Sequence, residues 1–178
     1  MKSSRVTLRS PAEIAQAREA GRLAARVLHM ITPHVQPGVS TEALDRLCHD
    51  YIVNELQVTP ANVGYLGYPK TVCTSVNHVI CHGIPSPGQV LKAGDIINID
   101  VAIIKDGWFG DTSRMYFVGE PSPLARRLVD TTYEAMCAGI AQVRPGATLG
   151  DVGHAIQTVA HREPVSYTHL TLPTSDLV

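Results

Sequence analysis

The chain has 178 residues, of which 44% are hydrophobic and 17% are charged, and its formal net charge is −1. This composition favours a packed globular core over disorder, and the near-neutral charge argues against a broad surface for nucleic acid or anionic membranes. No apolar run reaches the roughly 18 residues of a membrane span, and the beginning of the chain lacks the apolar core of a secretory signal. The four cysteines have neither CxxC nor zinc-finger spacing. We therefore expect four buried or semi-buried free thiols, which fits a reducing cytosol.

Two amphipathic helices are predicted first. Ser10 caps the first helix in a capping box with Glu13, and the helix ends at Pro33. Ser40 begins a second helix that ends near Leu56. Apolar residues at helical spacing predict the two buried faces: Ile14, Ala17, Gly21, Ala24 or Ala25, Leu28 and Ile31 in the first helix, and Leu44, Leu47, Cys48 and Tyr51 or Ile52 in the second.

The central part of the chain predicts strands. Residues 71–76 form one strand, and residues 95–104, rich in Ile and Val, form a second. Asp106–Gly107 is a hairpin-turn signal, in which the aspartate is a turn residue only. Residues 112–118 are then the return strand, and residues 83–88 are a loop.

Two aspartates give the strongest chemical signal. Asp100 lies among Ile, Val and Ala, where a buried carboxylate costs several kcal/mol unless it is paired or binds a metal. The alternative is a partly exposed residue on the polar face of a half-buried strand. A two-residue turn would pair Asp100 with Ser113. Asp111 then pairs with Ala102, which makes the two aspartates diagonal neighbours with backbones roughly 7–8 Å apart.

This geometry permits a shared metal site. A one-residue slip in register would place the two carboxylates on opposite faces of the hairpin. On one face they would repel each other, so cations are expected between them. Oxygen and imidazole ligands suit divalent Mn, Fe, Co or Zn.

A histidine lies on a constrained loop. His82 is followed by Gly83, and Pro85 stands close by, so its ring could reach a substrate; a surface or packing role is the alternative. Several apolar or amphipathic residues of the same region could line a pocket or belong to the core: Tyr65, Tyr68, Cys73, Trp108 and Phe109.

A short motif recurs between pairs of predicted helices. Residues 35–40 (VQPGVS) separate the first two helices. Residues 143–148 (VRPGAT) separate a third helix, which begins at Ser122 and is predicted to end at Pro145–Gly146, from a fourth. The two copies are 108 residues apart, and the matched flanking helices favour duplication over a chance Pro-Gly linker. A second set of strands is then expected to begin near residue 165.

Three long motifs in order resemble those of type I methionine aminopeptidases. They are GYLGYPK at residues 64–70, SVNHVICHGIP at 75–85, and the run from Asn98 to Ser113 that contains both aspartates. The resemblance extends from about Ser10 to Glu163. It implies an α/β pita-bread fold, of the creatinase/aminopeptidase type, with two pseudo-symmetric halves.

The resemblance also implies roles for individual residues. Asp100 and Asp111 would be metal ligands, and His82 would be a catalytic residue that hydrogen-bonds the substrate near the scissile peptide. The pocket for the methionine side chain would be lined by Tyr65, Tyr68 and Cys73. Backbone oxygens of Asn77 and Val79 would help hold a monovalent cation. Asn62 stands where many relatives carry a cysteine, which would alter the shape of the pocket.

In the family, further ligands belong to a C-terminal half. These are a histidine and two glutamates, joined by a second substrate-facing histidine; Glu163 and His169 stand in no matching motif. We therefore expect an incomplete pita-bread catalytic domain at residues 1–164, truncated after its first half and the helices of the second. Residues 165–178 are predicted to be a non-native tail because Val165–Leu170 resembles a translated sequencing adapter; a divergent native strand is the alternative.

The implied function is removal of the initiator methionine from nascent proteins, with two divalent ions (Co, Mn, Fe or Zn) as cofactors. The implied setting is the cytoplasm, near the ribosome, as a monomer without nucleic-acid or membrane partners. The 178-residue chain alone is expected to be inactive. Two alternatives remain at this point: a related pita-bread peptidase, such as a proline-specific aminopeptidase, and a non-catalytic binding protein of the same fold.

Overall fold

The computed structural model describes residues 7–162, which fall into two compact units divided at residue 120. The first unit contains helices α1 (Pro11–Ile31) and α2 (Thr41–Asp50) and strands β1 (Thr59–Pro60), β2 (Val72–Val76), β3 (Ile96–Lys105) and β4 (Trp108–Phe117). The second contains helices α3 (Pro123–Ile140) and α4 (Leu149–Arg162). In the described part of the chain, no helix is both long and apolar enough to cross a membrane.

The sheet of the first unit is built around β3, and all of its pairings are antiparallel. One edge of β3 pairs with β4 over the full length of both strands. The other edge pairs with β2 and then with the two-residue strand β1. The hairpin between β3 and β4 turns at Asp106–Gly107, where both residues have positive φ, as the two-residue turn requires.

Alternation along β3 separates a core face from a polar face. Ile97, Ile99, Val101 and Ile103 are fully buried, and α1 packs on this face of β3 and β4. The residues between them, Asn98, Asp100 and Ala102, therefore lie on the opposite face. The core is closed by apolar residues of both helices, among them Ala24, Val27, Leu28, Ile31, Leu44 and Ile52.

The helix beginnings follow the sequence closely. Ser10 accepts a hydrogen bond from the Glu13 amide while the Glu13 carboxylate accepts one from the Ser10 amide, which confirms the predicted capping box. Ser40 and Ser122 cap α2 and α3 in the same position. After α2, a π-helical turn carries the chain to Leu56, the end predicted for the second helix.

Several details of the prediction are wrong. Strand β4 begins at Trp108 rather than at residue 112, and α3 ends at Ile140 rather than at the Pro-Gly linker. Strand β1 had no recognisable pattern because two residues are too short to show one. On the helix faces, Ile14 and Leu47 are exposed, whereas Asp45 is buried.

The prediction that all four thiols are buried or semi-buried is wrong for two of them. Cys48 and Cys73 are buried, but Cys81 and Cys137 are exposed; all four are unpaired. The exposed pair lies on a loop and on the outer surface of a helix, where the sequence carries no periodicity that distinguishes a buried from an exposed cysteine.

The internal repeat recurs in the structure. Gly38 and Gly146, 108 residues apart, have φ angles of +88° and +87°. Helices α2 and α4 begin one residue after Ser40 and Thr148, which are again 108 residues apart. Because these positions match in backbone conformation and not only in sequence, the two helix pairs are copies of one motif.

The second unit carries an open apolar groove of about 310 Å³. Its lining residues are Thr131, Thr132, Ala135, Met136, Gly139, Ile140, Val143, Val152, Ile156 and Ala160. Subtracting 108 from these numbers gives Leu23, Ala24, Val27, Leu28, Ile31, Thr32, Val35, Leu44, Cys48 and Ile52, and all of these except Thr32 belong to the core of the first unit. The groove therefore corresponds to the helix faces that the sheet covers in the first unit.

Candidate active site

The two aspartates lie on adjacent strands in the predicted register. Asp100 is opposite Ser113, and Asp111 is opposite Ala102, so the prediction is confirmed. Both side chains belong to the polar face of the hairpin and are diagonal neighbours. The two-residue turn fixes this arrangement, since one residue more or fewer would turn one of the carboxylates toward α1.

Their electrostatic environment is unfavourable without a cation. Burial raises the pKa of the Asp100 carboxyl, and the negative charge of Asp111 raises it further. A positive charge on His82 and a hydrogen bond from the Val101 amide act in the opposite direction. A divalent cation between the two carboxylates would relieve both the desolvation and the repulsion.

The two carboxylates are suitable ligands for such an ion, but they do not complete its coordination. Asp100 and Asp111 offer carboxylate oxygens, which divalent Mn, Fe, Co and Zn accept. However, no group of three or more His, Cys, Asp or Glu side chains within residues 7–162 is placed to hold a metal. The described residues thus supply part of a metal site.

His82 is held beside this face by a close backbone contact. Gly83 approaches β2 so tightly that a side chain there would overlap the Thr74 carbonyl. The Thr74 amide donates to the Gly83 carbonyl at 2.8 Å, and the Gly83 amide donates to the Ser75 hydroxyl at 3.2 Å. His82 itself is exposed and has a φ of +54°, a left-handed conformation that costs a non-glycine residue about 1 kcal/mol.

Cys73 and Tyr68 lie next to the aspartates. Cys73 is directly opposite Asp100 on β2 and is buried. The Tyr68 hydroxyl donates to the Val72 carbonyl oxygen at 3.0 Å and to that of Gly83 at 3.2 Å, and it is close enough to the Cys73 thiol to influence the pKa of that group. Burial raises the pKa of both groups, so the thiol and the phenol are neutral near pH 7.

The remaining pocket candidates separate into two groups. Tyr65 is 69% exposed and lies in a short 3₁₀ turn, whereas Tyr68 is half-buried. Phe109 is exposed and shares its face of β4 with Asp111. Trp108 lies on the other face, packs against the core and stacks with Arg9 at 5.1 Å.

The two residues expected near a monovalent cation follow β2. Asn77 has a φ of +51°, and its side chain donates to Asp95 at 2.9 Å and accepts from the Ile96 amide at 3.1 Å. Val79 lies two residues further on, with its amide donating to the Val76 carbonyl. These hydrogen bonds fix the turn after β2; the cation itself stays a prediction.

Sequence reasoning missed the hydrogen bonds that join a group of polar residues at the beginning of β2, and it named only Asn62 among them, as a residue of the pocket. Asp45, His49 and Asn62 all hydrogen-bond Thr71. The available signal was Asp45, a charged residue directly beside Leu44 in an amphipathic helix, which the periodicity argument left out of the buried face.

Curated relatives of this chain are named methionine aminopeptidases. Over 161 residues, the chain is 51% identical to methionine aminopeptidase of Escherichia coli K12, which covers 90% of this chain and 61% of the relative. The corresponding protein of Rickettsia prowazekii is 50% identical over the same shares. The chain thus spans about three fifths of the length of these curated relatives.

Solved structures give the same result. The crystal structure of the Rickettsia prowazekii methionine aminopeptidase superimposes with a TM-score of 0.86, covering 89% of this chain and 63% of that one. The Thermotoga maritima methionine aminopeptidase gives a TM-score of 0.84 at 34% identity, with the same coverage. An Xaa-Pro dipeptidase of Bacillus anthracis, at 19% identity and a TM-score of 0.74 over 87% of this chain and 42% of that one, shares the fold alone.

These neighbours confirm the pita-bread α/β fold class. The sequence also matches metallopeptidase family M24 over residues 15–172, a range that continues past the last described residue. The predicted tail at residues 165–178 lies outside the described residues and stays a prediction. The family match covers most of the chain, and the site contains paired carboxylates and a histidine on a strained loop. The chain therefore belongs to metallopeptidase family M24.

Proposed function

We propose that the complete protein containing this chain is a methionyl aminopeptidase that removes the N-terminal methionine from nascent proteins. The observation that carries the proposal is the pairing of Asp100 with Ser113 and of Asp111 with Ala102, which places two carboxylates on one face beside Cys73. Relatives about 50% identical are named methionine aminopeptidases, whereas the Xaa-Pro dipeptidase of Bacillus anthracis is 19% identical and supports the fold only.

Each residue of the site has a proposed task. Asp100 and Asp111 would hold two divalent ions (Co, Mn, Fe or Zn) together with ligands from outside the described residues. When bound, these ions would supply an activated water and polarise the scissile carbonyl. His82 would donate a hydrogen bond to the substrate near the scissile peptide, which its exposed position and strained backbone support.

The substrate side chain would be bound by neutral groups. Cys73 is buried and Tyr68 is half-buried, which raises the pKa of both groups, so they present uncharged surfaces to a thioether. Tyr65, exposed in the free chain, would close over the substrate. Asn77 and Val79 would bind a monovalent cation through backbone oxygens. The setting is the cytoplasm, where the substrates emerge from the ribosome and the enzyme acts as a monomer.

A chimeric protein tests this function, because the chain spans 61% of its curated relatives. The matched 161 residues would replace the corresponding segment of the E. coli methionine aminopeptidase. With Mn²⁺ or Co²⁺ added, we expect release of methionine from Met-Ala-Ser. Asp100→Asn and Asp111→Asn should each lower kcat/KM by at least about 100-fold, because a metal ligand is lost.

Asp106→Asn is the matched control, since it makes the same change at the exposed hairpin turn and should leave the rate unchanged. A folded chimera that binds metal but releases no methionine would favour the non-catalytic alternative. Cleavage of Xaa-Pro peptides in preference to Met-Ala-Ser would favour the proline-specific one. Full activity in either aspartate variant would overturn the assignment of the ligands.

A further inference from the structure

Three side chains converge on Thr71: two from helix α2 and one from the segment that follows β1. The Thr71 amide donates to Asp45 Oδ1 at 2.8 Å, and its hydroxyl shares a hydrogen bond of 2.8 Å with His49 Nδ1. Its carbonyl oxygen accepts from Asn62 Nδ2 at 3.1 Å. Every polar group of this residue is therefore held by a side chain, and Thr71 is only 2% exposed.

The same residue stands directly before the strand that lines the candidate site. Asp45 Oδ1 also accepts from the Val72 amide at 3.0 Å, and the Val72 carbonyl lies 3.0 Å from the Tyr68 hydroxyl. Cys73 follows, opposite Asp100. Displacement of Thr71 would thus move both Tyr68 and Cys73, whereas it would leave the Asp100–Asp111 pair, which lies on β3 and β4, in place.

Packing alone does not explain why a carboxylate occupies this buried position. Asp45 is a buried carboxylate on the apolar side of α2, where an aliphatic residue would pack with less desolvation. It accepts two backbone amide hydrogen bonds, and such charge-assisted bonds are short and directional. His49 and Asn62 then fix the hydroxyl and the carbonyl of the same residue. The combined effect is to define one position for the beginning of β2.

We propose that Asp45, His49 and Asn62, acting through Thr71, are positioning residues for the part of the substrate pocket formed by Tyr68 and Cys73. This inference rests on the proposed function and deepens it: the Thr71 cluster sets the affinity for the methionine side chain, not the rate of the chemical step. Loss of the cluster should raise KM and leave kcat nearly unchanged.

Thr71→Val in the chimera provides the first test, and the chain offers a matched control. Thr74 is on the same strand and is 4% exposed, but its buried hydroxyl has no hydrogen-bond partner in the described part of the chain. Thr71→Val should raise KM for Met-Ala-Ser by roughly tenfold, with kcat within about twofold, because a buried hydrogen bond is lost. Thr74→Val should change neither, and Thr71→Ser should restore KM.

His49 is tested through a double-mutant cycle. If His49 acts through Thr71, His49→Ala should raise KM by itself but add nothing to Thr71→Val. Additive effects of the two variants would overturn that part of the proposal. Equal KM values for Thr71→Val and Thr74→Val, or a fall in kcat without a change in KM, would overturn the whole of it.

A second measurement does not depend on catalysis. In the 178-residue chain, Thr71→Val should speed alkylation of the buried Cys73 by roughly tenfold relative to Thr74→Val, since the beginning of β2 is released. If the chimera is inactive but this difference is present, the proposed function fails and the structural role of Thr71 stands. If Cys73 reacts at the same rate in both variants, the inference about Thr71 fails whatever the activity.

Discussion

At the scale of single residues, burial divides the four thiols into two classes. Burial raises the pKa of the Cys48 thiol to about 12, with a smaller contribution from the negative charge of Asp45, and it also raises the pKa of Cys73. Cys81 and Cys137 are exposed. Because the thiolate is the reactive form, we expect iodoacetamide at about pH 8 to label Cys81 and Cys137 first. Peptide mapping by mass spectrometry checks the order.

The labelling should change in denaturant. In guanidinium chloride, Cys48 and Cys73 lose their burial, and all four residues should react at comparable rates. Early labelling of Cys48 in native buffer would contradict the packing of α2 against the sheet, because that thiol has no exposed surface.

The aspartate pair could be predicted from the sequence, and the Thr71 cluster could not. Asp100 and Asp111 are related by one hairpin, so a two-residue turn signal was enough to fix their register. Asp45 and Thr71 are 26 residues apart and belong to different elements. No local pattern relates a helix residue to the beginning of a later strand, and only the tertiary structure brings them together.

At the scale of elements, the contact between α1 and β4 depends on a glycine. A side chain at Gly110 would overlap the Ala20 carbonyl of α1, so the strand could not lie as close to the helix. Gly21 lies on the helix at the same contact, and a Cβ atom added there would meet no atom within 4 Å beyond its chain neighbours and the backbone of its own helix. A side chain is therefore excluded at Gly110 and has room at Gly21, although both residues lie at the contact between α1 and β4.

Substitution by alanine should have opposite effects at these two positions. Gly110→Ala should lower the free energy of unfolding by about 3 kcal/mol or more, because backbone must move. Gly21→Ala should raise it by roughly 0.5–1 kcal/mol, the usual gain for alanine in a helix. Urea denaturation followed by circular dichroism measures both, and a tolerated Gly110→Ala would show that α1 and β4 are further apart than described.

The start of β4 shows why strand limits were harder to predict than strand pairing. Trp108, Phe109 and Gly110 continue the ladder from the turn, opposite Lys105, Ile104 and Ile103. A glycine in a strand is unfavourable by propensity, so the sequence favoured a later start. Gly110 is nevertheless part of the strand, because only glycine permits the close approach of β4 to α1.

At the scale of the whole molecule, the 178-residue chain lacks a complete metal site within its described residues. We predict that the isolated chain binds Mn²⁺ or Co²⁺ weakly and releases no methionine from Met-Ala-Ser. Isothermal titration calorimetry and a methionine-release assay test this, with the active chimera as the reference. Turnover by the isolated chain at the rate of the chimera would show that the described residues suffice for catalysis.

The groove of the second unit allows the repeat to be tested through residues 108 positions apart. Met136 lines the groove and is 46% exposed, whereas its counterpart Leu28 is 4% exposed in the core of the first unit. Met136→Lys should therefore leave the free energy of unfolding almost unchanged and reduce binding of the dye ANS, because it places a charge in the open apolar surface.

Leu28→Lys makes a comparable change at the counterpart position and should cost several kcal/mol, enough to unfold the chain, because the ammonium group would be buried without a partner. Thermal denaturation and ANS fluorescence distinguish the two variants. Similar destabilisation by both would mean that the groove is filled in solution. A difference between them would follow from the two copies of the helix motif: one has a sheet against its apolar face, and the described part of the other has none.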